Sequence, residues 1–216
     1  DARSQIQRQL YEGTGKNIPV RILADLLDIR DEKWRNAIEG YLAWNKLALV
    51  VEPAYVKEAM EIYESLDAKK FWRVSLVDTE KLMALEHPVR ENALAEEIDC
   101  REAYVKAFLH FLLGNVIKCE DVQQLRRCKI GVTADCLLYQ NFQLRRLNPD
   151  NYTRRAFIGE KSMRRRQKEL QARLEELNKS QEEYSAAAAE ARRLLGYEYL
   201  QDSVESYVEL FQDMEE

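Results

Sequence analysis

The 216-residue sequence is poor in turn-formers and in imidazole, with seven glycines, four prolines and two histidines. So few turn residues disfavour an all-β architecture built on many tight connections and favour helices with short links. Two histidines, His87 and His110, leave little for acid–base or metal chemistry. Four cysteines, Cys100, Cys119, Cys128 and Cys136, lie 19, 9 and 8 residues apart with no Cys-x-x-Cys pair, so the close ligand spacing of a zinc site is missing and reduced, buried thiols are expected. No apolar run approaches the length of a membrane span, and the opening DARSQIQRQL lacks an apolar signal region. A cytoplasmic location is expected, and, with no initial Met, so is a longer parent protein. The net charge of −5 gives no global signature of nucleic-acid binding, so any such contact must rest on a local patch.

What is present is a stretch that occurs twice. Asp31–Val51, DEKWRNAIEGYLAWNKLALVV, reads as an amphipathic helix of about four turns running into a short apolar strand. Arg101–Cys119, REAYVKAFLHFLLGNVIKC, has the same build, and a gapless overlay sets Trp34 on Tyr104, Ala37 on Ala107, Leu42 on Leu112, Asn45 on Asn115 and Leu47 on Ile117. Two helix-into-strand units imply a duplicated half-domain.

In chain order, Asp1–Glu12 reads as a polar helix stopped by Gly13 and Gly15. The following Glu12–Asn17 is not a phosphate loop, because Leu10 and Asn17 stand where a Walker A motif needs Gly and Ser or Thr. Ile22, Leu23, Leu26 and Leu27 suggest a short helix, and Asp31 an N-cap for the next one. Lys46–Val51 and Phe71–Val77 are strand candidates flanking the helix AYVKEAMEIYESL, the order of a βαβ unit. A short helix capped by Asp78 or Thr79 follows. Val132, Leu137, Leu138, Tyr139, Phe142 and Leu144 mark two or three further strands, and Arg155–Ile158 a last one. Beyond Gly159, Leu170, Leu174, Leu177, Gln181, Tyr184, Ala188, Ala191 and Leu195 form a heptad seam that calls for a partner helix, with a break expected at Gly196 and a second phase through Leu200, Val204, Val208 and Phe211.

This order of parts resembles the hinge domain of SMC proteins, the chromosome-organising ATPases, with stubs of their coiled-coil arms. The resemblance lies in VRILADLLDIRDEKWRNAIEGYLAWNKLALVVEPAYVKEAM, AFLHFLLGNVIKCED, IGVTADC and AFIGEKSMRRRQKELQARLEEL, which cover Val20 to Leu177. Family members carry Thr-Leu-Asp-Gly where this chain has Thr133-Ala134-Asp135-Cys136, and a Gly pair where it has Ile158-Gly159. The arm-entry sequence looks most like MukB-type bacterial proteins of the Wadjet plasmid-defence class.

The resemblance implies a helix-rich α+β, pseudo-duplicated globular domain with a protruding antiparallel coiled coil. Residues 1–15 would be a truncated arm, 16–159 the hinge-like domain with half-repeats of about 18–92 and 93–159, and 160–216 the second arm. Ile6 and Leu10 would then pack beside Met163, Leu170 and Leu174. The function implied is homodimerisation of two arms in the cytoplasm at the nucleoid, with ATPase heads and kleisin-type subunits lying outside this piece and no cofactor. A coiled-coil adaptor for an unrelated partner protein is the alternative reading of the same heptads.

A self-complementary dimer can use an exposed sheet edge, and Val132, Thr133, Ala134, Asp135, Cys136, Leu137 and Leu138 are the candidate edge. Arg145, Arg146, Arg154, Arg155, Lys161, Arg164, Arg165, Arg166 and Lys168 face only Asp150 and Glu160 in the same stretch. This basic patch suits non-specific contact with duplex DNA phosphates. No catalytic constellation forms: Glu96, Glu97 and Asp99 have no nearby histidine in sequence, and Asp135 beside Cys136 lacks a base.

Overall fold

The computed structural model describes residues 1–213, and their side chains except at 160–166, 169, 196–206, 209–211 and 213. Sixteen helices and strands follow in chain order: α1 (Ala2–Thr14), β1 (Arg21–Ile22), β2 (Asp28–Ile29), α2 (Arg35–Leu42), β3 (Leu49–Val50), α3 (Val56–Ser65), α4 (Ala68–Phe71), α5 (Thr79–Met83), β4 (Ile98–Asp99), α6 (Ala103–Leu113), β5 (Ile117–Cys119), α7 (Val122–Leu125), β6 (Ile130–Thr133), β7 (Leu137–Gln140), β8 (Gln143–Arg146) and α8 (Glu160–Asp213). The chain divides into two compact units, residues 1–166 and 167–216.

The globular unit is built twice. In each half a short strand lies antiparallel to a central strand, which in turn runs parallel to a third segment. Ile22 faces Leu49 and Leu49 bridges Leu76 in the first half; Ala93 faces Ile117 and Ile117 pairs with Gly131 in the second. The Leu23 amide donates to Ala48 O at 2.9 Å, and the Leu94 amide to Val116 O at 2.7 Å. The halves meet where β2 and β4 pair antiparallel with Asp28 opposite Asp99. The matching helices end at Leu42 and Leu113, and the buried residues Ile38 and Leu42, with Trp34 just before α2, correspond to Leu109, Leu113 and Val105. The gapless overlay is therefore corrected by one residue along the helix. It slips further at the strand, because Ala43–Ala48 joins helix to strand in the first half and Gly114–Val116 does so in the second. Ala43 turns the chain there with φ of 47°, so α2 has two turns and not four.

The main core lies between the halves, with Leu23, Ile38, Leu42, Leu94, Leu109, Leu113, Val132 and Leu138 fully or almost fully buried. A second cluster holds Ile6 and Leu10 of α1 against Ile18, Val20, Leu49, Val51 and Ala59. Both α1 side chains are thus used inside the globular unit, which corrects the expected packing along an arm seam. Leu170 and Leu174 are 50% and 60% exposed, while the Met163 side chain lies outside the described residues.

Several short elements differ from expectation. Residues 19–29 form β1, a 3-10 turn and β2, because the apolar residues serve two strand pairings as well as the core. Within Phe71–Val77 only Leu76 makes a bridge, and Arg155–Ile158 is not a strand. Asp31, Asp78 and Asp121 cap their turns or helices through side-chain acceptors, as their positions imply. The helical assignment of α8 continues through Gly196, where a break was expected. A single mid-helix glycine costs about 1 kcal/mol, which long flanking helical runs can absorb. Among the described residues no helix is long and apolar enough to cross a membrane.

Candidate association site

The second half ends in a four-stranded sheet of order β5-β6-β7-β8, with β5 and β6 parallel and the rest antiparallel. β6 and β7 are therefore interior strands, and Val132, Thr133, Cys136 and Leu138 are buried. Only the turn residues Ala134 and Asp135 and the half-buried Leu137 reach the surface. The expected edge at 132–138 is corrected to β8, one strand further on, whose four residues are all exposed.

Bond alternation shows what this edge offers. The Leu147 amide donates to Cys136 O at 2.9 Å, and Arg145 and Gln143 lie opposite Leu138 and Gln140. In an antiparallel pair bonded residues alternate, so Gln143 and Arg145 bond inward while the amides and carbonyls of Leu144 and Arg146 point outward. The β7–β8 turn is the two-residue type I′ form, with φ of 52° at Asn141 and 62° at Phe142. Phe142 occupies this left-handed position with its side chain 95% exposed.

The first half presents a second edge. Ser75 O accepts from the Leu49 amide at 2.8 Å and the Val77 amide donates to Leu49 O at 3.0 Å, so the backbone groups of Leu76 face away from β3. Beside this segment runs a mostly apolar groove of about 400 Å³ between α5 and α6, lined by Ala48, Leu76, Leu82, Leu85, Phe108 and Phe111 among others. His87 stands edge-on to Phe111 at 5.6 Å and bonds Leu82 O at 3.0 Å.

The root of α8 is held by α2 and by the turn after it. Lys46, 1% exposed, places its Nζ 2.6 Å from Glu39 Oε2, 3.2 Å from Glu39 O and 2.5 Å from Asn151 O. The other Glu39 oxygen accepts the Ile158 amide at 2.8 Å, and Arg35 Nη1 donates to Ile158 O at 2.9 Å. Burial pulls the Lys46 ammonium below its ordinary pKa, and the Glu39 charge and hydrogen bond oppose that shift. Gly40 keeps α2 close to the return segment, since a Cβ there would meet Leu147 and Tyr152 at about 3 Å. Gly159 then turns with φ of 81°, a glycine conformation, immediately before α8.

Of the predicted basic residues, Arg145, Arg146, Arg154 and Lys168 are exposed, and Arg155 lies over the Trp44 ring at 4.5 Å. The side chains of Lys161, Arg164, Arg165 and Arg166 lie outside the described residues. The clustered carboxylates are in ion pairs: Lys118 bridges Glu96 and Glu97, and Arg30 meets Asp99 at 3.5 Å. Cys119 and Cys128 place their sulfurs 3.7 Å apart, and burial is the first cause pushing the Cys119 thiol up to about 12. Burial also raises Cys136, whose backbone has φ of 64° at the position where a family glycine was expected. Among the described residues no group of His, Cys, Asp or Glu is arranged to hold a metal ion.

Sequence reasoning missed two features. Asn141 is a type I′ signal, but Phe142 stands where glycine normally completes it. Lys46 carried no signal at all, since a lysine beside an apolar strand reads as exposed.

No curated protein sequence matches the chain. Among solved structures, the hinge domain of the Pyrococcus furiosus SMC protein shares 20% identity over 67% of this chain and 84% of its own, with a TM-score of 0.49. The same organism's hinge with an extended coiled coil shares 20% over 95% and 77%, with a TM-score of 0.48. An asymmetric dimer of the Geobacillus stearothermophilus SMC hinge domain shares 17% over 80% and 78%, with a TM-score of 0.48. The description "SMC proteins Flexible Hinge Domain" matches residues 19–127, half of the chain. That match identifies the chain as a member of the SMC hinge family, whose domain is a dimerisation module and not a catalytic one.

Proposed function

We propose that the globular unit joins two copies of this chain by adding β8 of one protomer to the Ser75–Val77 segment of the other. The observation that carries this reading is the pair of unpaired edges, one in each half of the same domain. A two-fold axis uses each edge once per protomer and closes the assembly with two equal strand contacts. Closure also explains why exposed edges do not lead to open chains of molecules. Introducing Leu76→Cys and Leu144→Cys together should give an intermolecular disulfide that neither single substitution gives. Leu76→Cys with Arg146→Cys tests the neighbouring register in the same way, and if both double variants dimerise without ever crosslinking, edge pairing is wrong.

In this reading α8 is the outgoing arm and α1 the end of the incoming one, docked on the domain through Ile6 and Leu10. The exposed face of α8, with Leu170, Leu174, Leu177 and Leu195, suits a partner helix of an arm. The parent would be a chromosome- or plasmid-handling ATPase of the cytoplasm and nucleoid. The narrower placement among MukB-like plasmid-defence proteins is supported by the arm-entry sequence and by Cys136 in place of glycine. Kleisin-type subunits would bind elsewhere on that parent.

The basic residues clustered in sequence, Arg145, Arg146, Arg154, Arg155, Lys161, Arg164, Arg165, Arg166 and Lys168, would contact duplex DNA through phosphates without reading bases. Affinity should fall steeply with salt. Reversing Arg164, Arg165 and Arg166 to Glu should weaken duplex binding and flatten its salt slope; unchanged affinity would remove DNA from the account.

A further inference from the structure

Phe142 has no role in its own domain. Its side chain is 95% exposed at the tip of the β7–β8 hairpin, and its backbone is held at φ of 62°, a conformation that a bulky residue seldom adopts. Glycine would fit the turn better, so the sequence keeps an exposed aromatic ring at a cost to local stability.

The same chain carries a cavity that suits such a ring. The groove between α5 and α6 is mostly apolar, with Leu85 and Phe111 largely exposed at its mouth. It also shares Leu76 and Val77 with the free edge of the first half. We infer that Phe142 of each protomer seats in this groove of a second copy of the chain, as the anchor that fixes the register of the dimer.

This inference rests on the edge pairing proposed above, and the register follows from it. The outward bonding groups on β8 belong to Leu144 and Arg146, and the outward group on the other edge belongs to Leu76. Setting Leu144 antiparallel to Leu76 brings Phe142 opposite Asp78; setting Arg146 there brings it opposite Glu80. Both are at the start of α5, whose cap Asp78 and next-turn residues Lys81 and Leu82 line the groove.

One charge pairing fits the same seating. Arg145 and Arg146 follow Phe142 along β8, and Asp78 lies on the groove lining beside Lys81, while Glu80 is held by Lys57 at 2.9 Å. An aromatic side chain inserted into an apolar pocket at the centre of a charged rim is the usual composition of an interface anchor.

The test uses the full chain and three variants: Phe142→Gly, Leu85→Ser, and the two combined. Phe142→Gly places Asn-Gly in a type I′ turn, so its melting temperature should hold or rise while dimer dissociation, followed by sedimentation across a dilution series, becomes at least tenfold easier. Leu85→Ser, on an exposed position, should weaken the dimer in the same direction. The combined variant should lose no more than the worse single one, because both remove the same contact. A dimer unchanged by Phe142→Gly, or losses that simply multiply, would overturn the anchor and leave edge pairing standing. A wild-type chain that is monomeric throughout would overturn both.

Discussion

The two halves of the globular unit share a hydrogen-bond plan and differ in what hangs from it. The first half spends six residues, Ala43–Ala48, between helix and central strand; the second spends three, Gly114–Val116. The longer turn carries Lys46 back to Glu39 and Asn151 and so fixes the segment from which α8 departs. The second half has no such pair, and the position matching Glu39 is the half-buried His110. In exchange it carries β7 and β8, where the first half stops at α5 and leaves an open groove. Duplication supplied one plan twice, and the divergent additions give one half the arm clamp and the other the projecting edge. A perfect repeat would have had two identical edges and no hairpin to fill a groove.

The clamp is where this comparison can be broken most forcefully. Lys46→Met leaves the buried Glu39 carboxylate without its cation and should cost about 3–5 kcal/mol in chemical denaturation. Replacing both, Glu39→Leu with Lys46→Met, should recover most of that loss, since an apolar pair removes two buried charges together. The double variant should still exchange the Ile158 amide hydrogen faster than wild type, because its acceptor is gone. Equal loss in the single and double variants would show that the charges are not coupled.

A smaller effect sharpens the boundary of the unit. Ile6→Ala or Leu10→Ala should each destabilise the globular unit by about 2–4 kcal/mol, as fully buried side chains do. Leu174→Ala, on the exposed face of α8, should change it by less than about 0.5 kcal/mol. Comparable losses at all three positions would return α1 to the arm.

The smallest effect concerns the second half. Burial first, then the Lys106 and His87 charges, lower the His110 pKa below its usual 6.5. Protonation therefore favours the unfolded chain, so this stability is full above pH 6.5 and is lost as the pH falls towards the folded pKa. Denaturation midpoints of wild type and His110→Gln should diverge in that window. Parallel curves there would show that His110 does not contribute.

Much of this was legible in the sequence because it rests on local rules. Helix periodicity, the aspartate caps and the duplicated helix–strand unit need only neighbouring residues to be read. The one-residue error in the overlay came from trusting a gapless alignment across Ala43, whose positive φ no alanine advertises. The true edge escaped because strand order depends on pairings across the sheet, and Val132–Leu138 has the same alternation as an edge strand would. Lys46 escaped because its burial depends on a carbonyl 105 residues away, at Asn151. Ile6 and Leu10 were read at the right spacing for a seam, yet α3 and the strands offered them a nearer core.

The most direct test of the central claim is molar mass by light scattering across a dilution series, for the full chain and for a chain ending at Lys168. Association in the globular unit predicts that both are dimers with similar dissociation midpoints. A dimer that disappears with the long helix would place association in the coiled coil, contradict the edge-pairing account and favour an adaptor whose head awaits a different partner.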